Sequence, residues 1–240
     1  MAVFTLAASE TIVAQEAISV PHFEKVIISP HVQVTFTEGD NESVTIQNCT
    51  VNKDKIHIES NGKTLRVYLE GAKEITSNEK VKDQEYNNKK PLYRGTVLTV
   101  AISYKTLQEL SVRGEETIRL KSKLDQDNFI LTVYGESKII VDEVQLSKLG
   151  TTIYGESSLD FKAGNITEQR FTVYGQSKVN TLGVTGKTAR ATLYGEAELS
   201  LNVSDQLKVT AYGEAKVGYK GNPEIRKGLN IGNVKIYKLN

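Results

Sequence analysis

Five tyrosines and four glutamates at a fixed spacing are the residues of this sequence best placed to do chemistry. Tyr134, Tyr154, Tyr174, Tyr194 and Tyr212 each precede a glycine, and Glu136, Glu156, Glu196 and Glu214 follow it, with Gln176 in the equivalent place of the third copy. A ring beside a carboxylate suits sugar binding: the ring packs on C–H faces while the carboxylate accepts from hydroxyls. The same tyrosines stacked on neighbouring strands would stabilise those strands by ~0.2–1 kcal/mol per pair with no ligand at all. Stacked glutamates about 5 Å apart repel by roughly 0.8 kcal/mol in water. Lys138, Lys178 and Lys216, two residues further on, offer compensation, so a solvated, self-paired face is expected. Calcium between the carboxylate rungs is an alternative, but the Gly- and Asp-rich nonapeptide of calcium-binding solenoids does not occur here.

Catalytic patterns are weaker. His22, His31 and His57 lie in the N-terminal third without metal-ligand spacing, and no nucleophile motif or Gly-rich phosphate loop is present. No metal or cofactor is therefore expected. Asp142, Asp160 and Asp205 fall in different columns of the repeat. Glu115 and Glu116 are adjacent, so strand alternation sends them to opposite faces. Glycoside chemistry needs two carboxyls about 5–9.5 Å apart across one cleft. Arg113 and Arg119 share parity but have no partnering base.

The elements that must position the tyrosines come from the repeat itself. Val133-Tyr134-Gly135-Glu136-Ser137 returns at 153–157, 173–177, 193–197 and 211–215, with a weaker copy at 112–116; the glycines at 114, 135, 155, 175, 195 and 213 are 18–21 residues apart. Within a copy, apolar residues alternate with polar ones, as in Phe129, Leu131 and Val133. That is the period of a strand, and no window shows a helical period. A single twenty-residue turn cannot bury its apolar face, whereas stacked turns can. The sequence therefore predicts an all-β solenoid with equivalent residues in columns. Ile139, Leu159, Val179, Leu199 and Val217 face inward, as do Val133, Ile153, Val173, Leu193 and Ala211. Ser137, Ser157, Ser177, Ala197 and Ala215 form a small inward column at a glycine-marked corner, with the tyrosines, glutamates and lysines outside.

The rest of the chain reads as a 1–22 tail, a signal or linker remnant, followed by one domain over 23–240. Irregular coils fill 23–110, with strands near Val26–Ile28, Val32–Phe36, Val44–Gln47, Lys55–Glu59, Thr64–Leu69 and Val97–Ser103; regular repeats fill 111–217, and 218–240 form a cap. The polar stretch 71–93 reads as a long mobile surface loop. The 240 residues carry 30 basic and 29 acidic groups, which supports neither nucleic-acid binding nor a broad basic surface for anionic lipid. No apolar run approaches a membrane span. With only Cys49, no intramolecular disulfide forms.

The segment Phe23-Glu24-Lys25-Val26, then Ile28-Ser29-Pro30-His31-Val32-Gln33-Val34 and Glu38-Gly39-Asp40, resembles the opening of the auto-transporter adhesin head GIN domain, a family common in Bacteroidetes. The glycine-centred repeats and the closing Tyr219, Gly221, Pro223 and Gly232 resemble it as well, so the likeness covers about residues 20–240. The family's usual repeat is Ser-Gly-Ser-Gly, where this chain has Tyr-Gly-Glu-Ser. The resemblance implies a right-handed parallel β-helix and an exported protein of the periplasm, outer-membrane surface or extracellular space. It supplies no catalytic residues. Three functions follow as expectations: an adhesin-like binding module for a glycan or envelope component, a pectinase-like lyase or hydrolase, and a structural spacer that forms homo-oligomers.

Overall fold

The computed structural model describes residues 17–82 and 87–240. The expected tail lies outside the described residues up to residue 16. From residue 17 the chain is already structured. β1 (Ala17–Ser19) pairs antiparallel with β4 (Ser43–Cys49), after β2 (Lys25–Ile28) and β3 (Val32–Glu38). A 3-10 turn at Lys53–Lys55 leads to β5 (Ile56–Asn61) and β6 (Thr64–Leu69), which pair antiparallel. All six N-terminal strands expected from sequence are present within two residues of their predicted ends, the sixth being β9 (Leu98–Tyr104).

Between β6 and β9 the expected loop is instead part of a two-stranded ribbon, β7 (Asn78–Lys82) with β8 (Asn87–Pro91), paired from Asn78↔Pro91 to Lys82↔Asn87. Its sequence lacks apolar alternation because the ribbon is a sheet of its own, with no strand of the main sheet beside it.

The solenoid includes these strands: β10 (Glu109–Gly114) and β11 (Thr117–Leu120) stack in parallel register on β2 and β3, which form the turn before them. β12 (Leu124–Gly135), β13 (Lys138–Val141), β14 (Val144–Gly155), β15 (Ser158–Phe161) and β16 (Gly164–Tyr174) continue it into β17 (Lys178–Lys220) and β18 (Glu224–Lys238). Successive turns pair parallel and in register, for example Tyr134↔Tyr154 and Tyr154↔Tyr174. The fold is a parallel β-solenoid of about six turns.

Burial follows the columns. The two predicted aliphatic columns are 0–2% exposed throughout, and Phe129, Phe161 and Phe171 are buried in the same core. The corner is made by glycine. Gly195 has φ +107°, and a Cβ there would lie 2.8 Å from the carbonyl oxygen of Gly175 in the turn below. An L side chain is strained at that φ, and the stacking distance leaves it no room. Beside it, the Ser157 hydroxyl donates to the Gly135 carbonyl at 2.9 Å, and Ser177 to Gly155 at 2.8 Å. The small inward column is therefore a hydrogen-bonded one wherever it is serine.

Residues 218–240, expected as a cap, contain another turn. β18 pairs in register with β17, placing Gly232 (φ +103°) on Gly213 and Ile231 on Tyr212. A register shift between Val209 and Ala211 absorbs the irregular spacing.

Candidate functional site

The parallel register brings all five predicted tyrosines into one line. Centroids of successive rings are 5.1, 4.9, 4.8 and 5.1 Å apart, with planes within 6° of parallel. Ring faces in van der Waals contact are only about 3.5 Å apart. Parallel rings with centroids near 5 Å must therefore be offset, the favoured stacked geometry. Each inner ring spends both faces on its neighbours. The 37–41% exposure of Tyr134, Tyr154, Tyr174 and Tyr194 is consequently edge and hydroxyl. Sequence parity gave the correct side of the sheet. Tyr154, Tyr174 and Tyr194 each have both faces stacked on a neighbouring ring, so along the inner ladder edges and hydroxyls are what solvent meets.

A cation lies over the ring at one end of the ladder. Arg113 takes the tyrosine position in the turn of β10, and its guanidinium lies 5.0 Å from the Tyr134 centroid. Glu74 fixes it there, accepting from Arg113 Nε at 2.9 Å and from Arg66 at 2.7 Å. At the far end, Ile231 follows Tyr212.

The glutamates form the parallel row that was expected. Glu136, Glu156, Glu196 and Glu214 are all exposed. The expected self-pairing with Lys138, Lys178 and Lys216 does not occur: none of these glutamates makes an ion pair among the described residues. The spacing alone does not forbid such pairs, since Lys123 and Asp125, also two positions apart, pair at 2.7 Å; here the exposed side chains turn to solvent instead. A shallow groove of about 280 Å³ runs between these rows, lined by Gln176, Glu196 and Glu214 with Lys178, Lys216 and Lys235. No cluster of metal-ligating side chains occurs among the described residues.

A second hollow, of about 470 Å³, opens where the ladder begins. Ile75, 80% exposed, lines it together with Tyr134, Arg113, Thr76 and His31. His31 adopts φ +70° and is held by the Gly95 carbonyl at Nδ1 (2.7 Å) and by the Thr76 hydroxyl at Nε2 (2.6 Å). Glu116 occupies the serine position of this turn. It is 6% exposed and accepts from the Glu115 amide at 3.0 Å. Its neighbour Glu115 points to solvent, as alternation predicts. The sequence reading missed Glu74 and Ile75, since the segment carrying them has no repeat. The one signal for Arg113 was its place in the weak first copy.

The sequence matches the family described as "Putative auto-transporter adhesin, head GIN domain" over residues 22–223. No curated protein matches it significantly. Among solved structures it is similar to a "putative adhesin" from Bacteroides fragilis, at 16% identity and TM-score 0.75 over 94% of this chain and 96% of the other. A "putative adhesin" from Parabacteroides distasonis is 18% identical, with TM-score 0.68 over the same shares. A "putative lipid binding protein" from the same organism is 20% identical, with TM-score 0.67, again over 94% and 96%. At these identities the likeness is one of fold.

Proposed function

The chain belongs to the auto-transporter adhesin head GIN domain family, and on that premise we propose that it is an exported, non-catalytic binding module of the cell envelope. Its ligand is an uncharged glycan lying along the ladder. The observation that carries this reading is the pairing of two parallel rows at one spacing. Phenol edges recur every 4.8–5.1 Å, beside carboxylates that make no ion pair among the described residues. Hydroxyl-rich chains satisfy both rows: a carboxylate accepts two or more hydrogen bonds from hydroxyls, and a phenol both donates and accepts. The rung spacing is of the order of one pyranose in an extended chain.

A carboxylate row repels a polyuronate, which counts against the lyase reading. No helix among the described residues is long and apolar enough to span a membrane.

The test uses a Tyr154→Phe/Tyr174→Phe/Tyr194→Phe variant, which keeps the stack and removes three hydroxyls. On an array of neutral glycans, the unmodified protein binds at least one extended chain. The triple variant loses tenfold or more of that affinity with an unchanged melting temperature. Undiminished binding by the variant, or release of shortened products from any glycan, refutes the proposal.

A further inference from the structure

The near-neutral total charge conceals a polar distribution. Residues 205–240 hold seven basic and three acidic side chains, a net of +4, while the whole chain nets +1; the remainder is therefore −3. The positive end is also the end where the core reaches the surface. Ile225, Val234 and Ile236 of β18 are half-buried, although their column mates Leu207, Ala215 and Val217 are fully buried. Leu229, Ile231 and Tyr237 are 59%, 55% and 42% exposed. Lys227 and Lys235 lie in the same strand, exposed and without an ion-pair partner among the described residues. β18 has no strand on its outer edge among the described residues.

We propose that this C-terminal end of the solenoid docks on an anionic lipid bilayer, with Leu229, Ile231 and Tyr237 in the headgroup layer and Lys227 and Lys235 on the lipid phosphates. Exposed aliphatic side chains, a tyrosine and flanking lysines are the combination that settles at a membrane interface. The unpaired backbone edge limits insertion to the hydrated headgroups, since bare N–H and C=O groups do not enter hydrocarbon. Charge decides against a second copy of this end as the occupant. Two β18 strands would bring together two sets of Arg226, Lys227, Lys235 and Lys238 against one Glu224 from each copy. Lysines on an edge strand oppose such pairing. The tyrosine ladder runs along the side of the stack and meets this end at Ile231 and Lys235, and the inference does not depend on the glycan reading.

The experiment is sedimentation of the full chain with large vesicles in ~0.15 M salt, near a Debye length of 8 Å. The protein binds vesicles of phosphatidylcholine and phosphatidylglycerol at 3:1, binds pure phosphatidylcholine far less, and dissociates in molar salt. Lys227→Gln/Lys235→Gln lowers the partition coefficient roughly thirtyfold, as expected for two basic groups near an anionic surface. Leu229→Ser/Ile231→Ser lowers it as well, while the triple Tyr→Phe ladder variant binds vesicles like the unmodified protein. Circular dichroism verifies that each variant is folded. Equal binding to neutral and anionic vesicles overturns the proposal. So does no binding to either, or a dimer in sedimentation equilibrium that Leu229→Ser/Ile231→Ser abolishes.

Discussion

The ring of Tyr174 lies 4.8 Å from that of Tyr194, centroid to centroid, with the two planes 3° apart. These residues are twenty positions apart in sequence and one strand spacing apart in space. The stack they belong to is a stabilising column and, in the proposed function, a binding surface, and the two roles separate by substitution. Tyr174 contacts a ring on each side. Tyr174→Ala breaks both stacks, each worth about 0.5–1.5 kcal/mol beyond area burial. The expected loss is thus about 1–3 kcal/mol in a urea melt, with loss of exciton-coupled tyrosine signal in circular dichroism. Tyr174→Phe keeps the stability.

The corner glycines make a sharper prediction, because two glycines of one chain should respond oppositely. Gly195 combines φ +107° with a Cβ site 2.8 Å from a carbonyl oxygen. Gly195→Ala should destabilise by about 2–3 kcal/mol or more, the scale of a strained left-handed non-glycine residue. Gly150 lies in β14 outside the left-handed region, with nothing within 4 Å of a built Cβ. Gly150→Ala should be neutral or stabilise by up to about 1 kcal/mol through the unfolded chain. Paired thermal melts decide it; equal effects would contradict the corner assignment.

The serine column gives a graded case. Ser157 Oγ donates to the Gly135 carbonyl, which also accepts from the Glu156 amide at 3.0 Å. Removing the hydroxyl leaves that carbonyl satisfied, and Ala197 and Ala215 already occupy the same column, 1–2% exposed. Ser157→Ala should therefore cost no more than about 1 kcal/mol. Ser157→Val adds volume to a filled corner, and denaturant midpoints should show it costing about 1–3 kcal/mol.

What could be read in advance follows from what alternation encodes. Val133, Ile153 and Val173 were legible as one buried column because a period of two within a turn fixes the face, and a period of twenty between turns fixes the neighbour. Parity says that Tyr174 points outward; it says nothing of ring tilt, which comes from contact with Tyr154 and Tyr194. The free glutamates were misjudged for a similar reason. Closeness in sequence between Glu136 and Lys138 is not closeness of their charged ends. The final turn escaped notice because Ile231 and Asn233 replace tyrosine and glutamate, and the shift at Val209–Ala211 disturbs the count. Glu74 and Ile75 reach the ladder only through tertiary placement.

Tyr104 stands apart from the ladder and carries the last prediction. It is 2% exposed, packs edge-on against Phe36 at 6.4 Å, and its hydroxyl has no partner among the described residues. Burial, aided by the nearby Glu38 charge, pushes its phenol up to about 12 from the usual 10. A buried unpaired hydroxyl costs about 1–3 kcal/mol. Tyr104→Phe removes it without changing the ring, and should raise stability by about 1 kcal/mol at neutral pH. The alkaline range gives an independent check. The folded state holds this proton after the unfolded chain has released it, so stability falls as pH rises from about 10 to about 12. The phenylalanine variant lacks that contribution, and its advantage over the unmodified protein should widen across this window in chemical denaturation. A Tyr104→Phe protein less stable than the original at neutral pH would show that the hydroxyl has a partner after all.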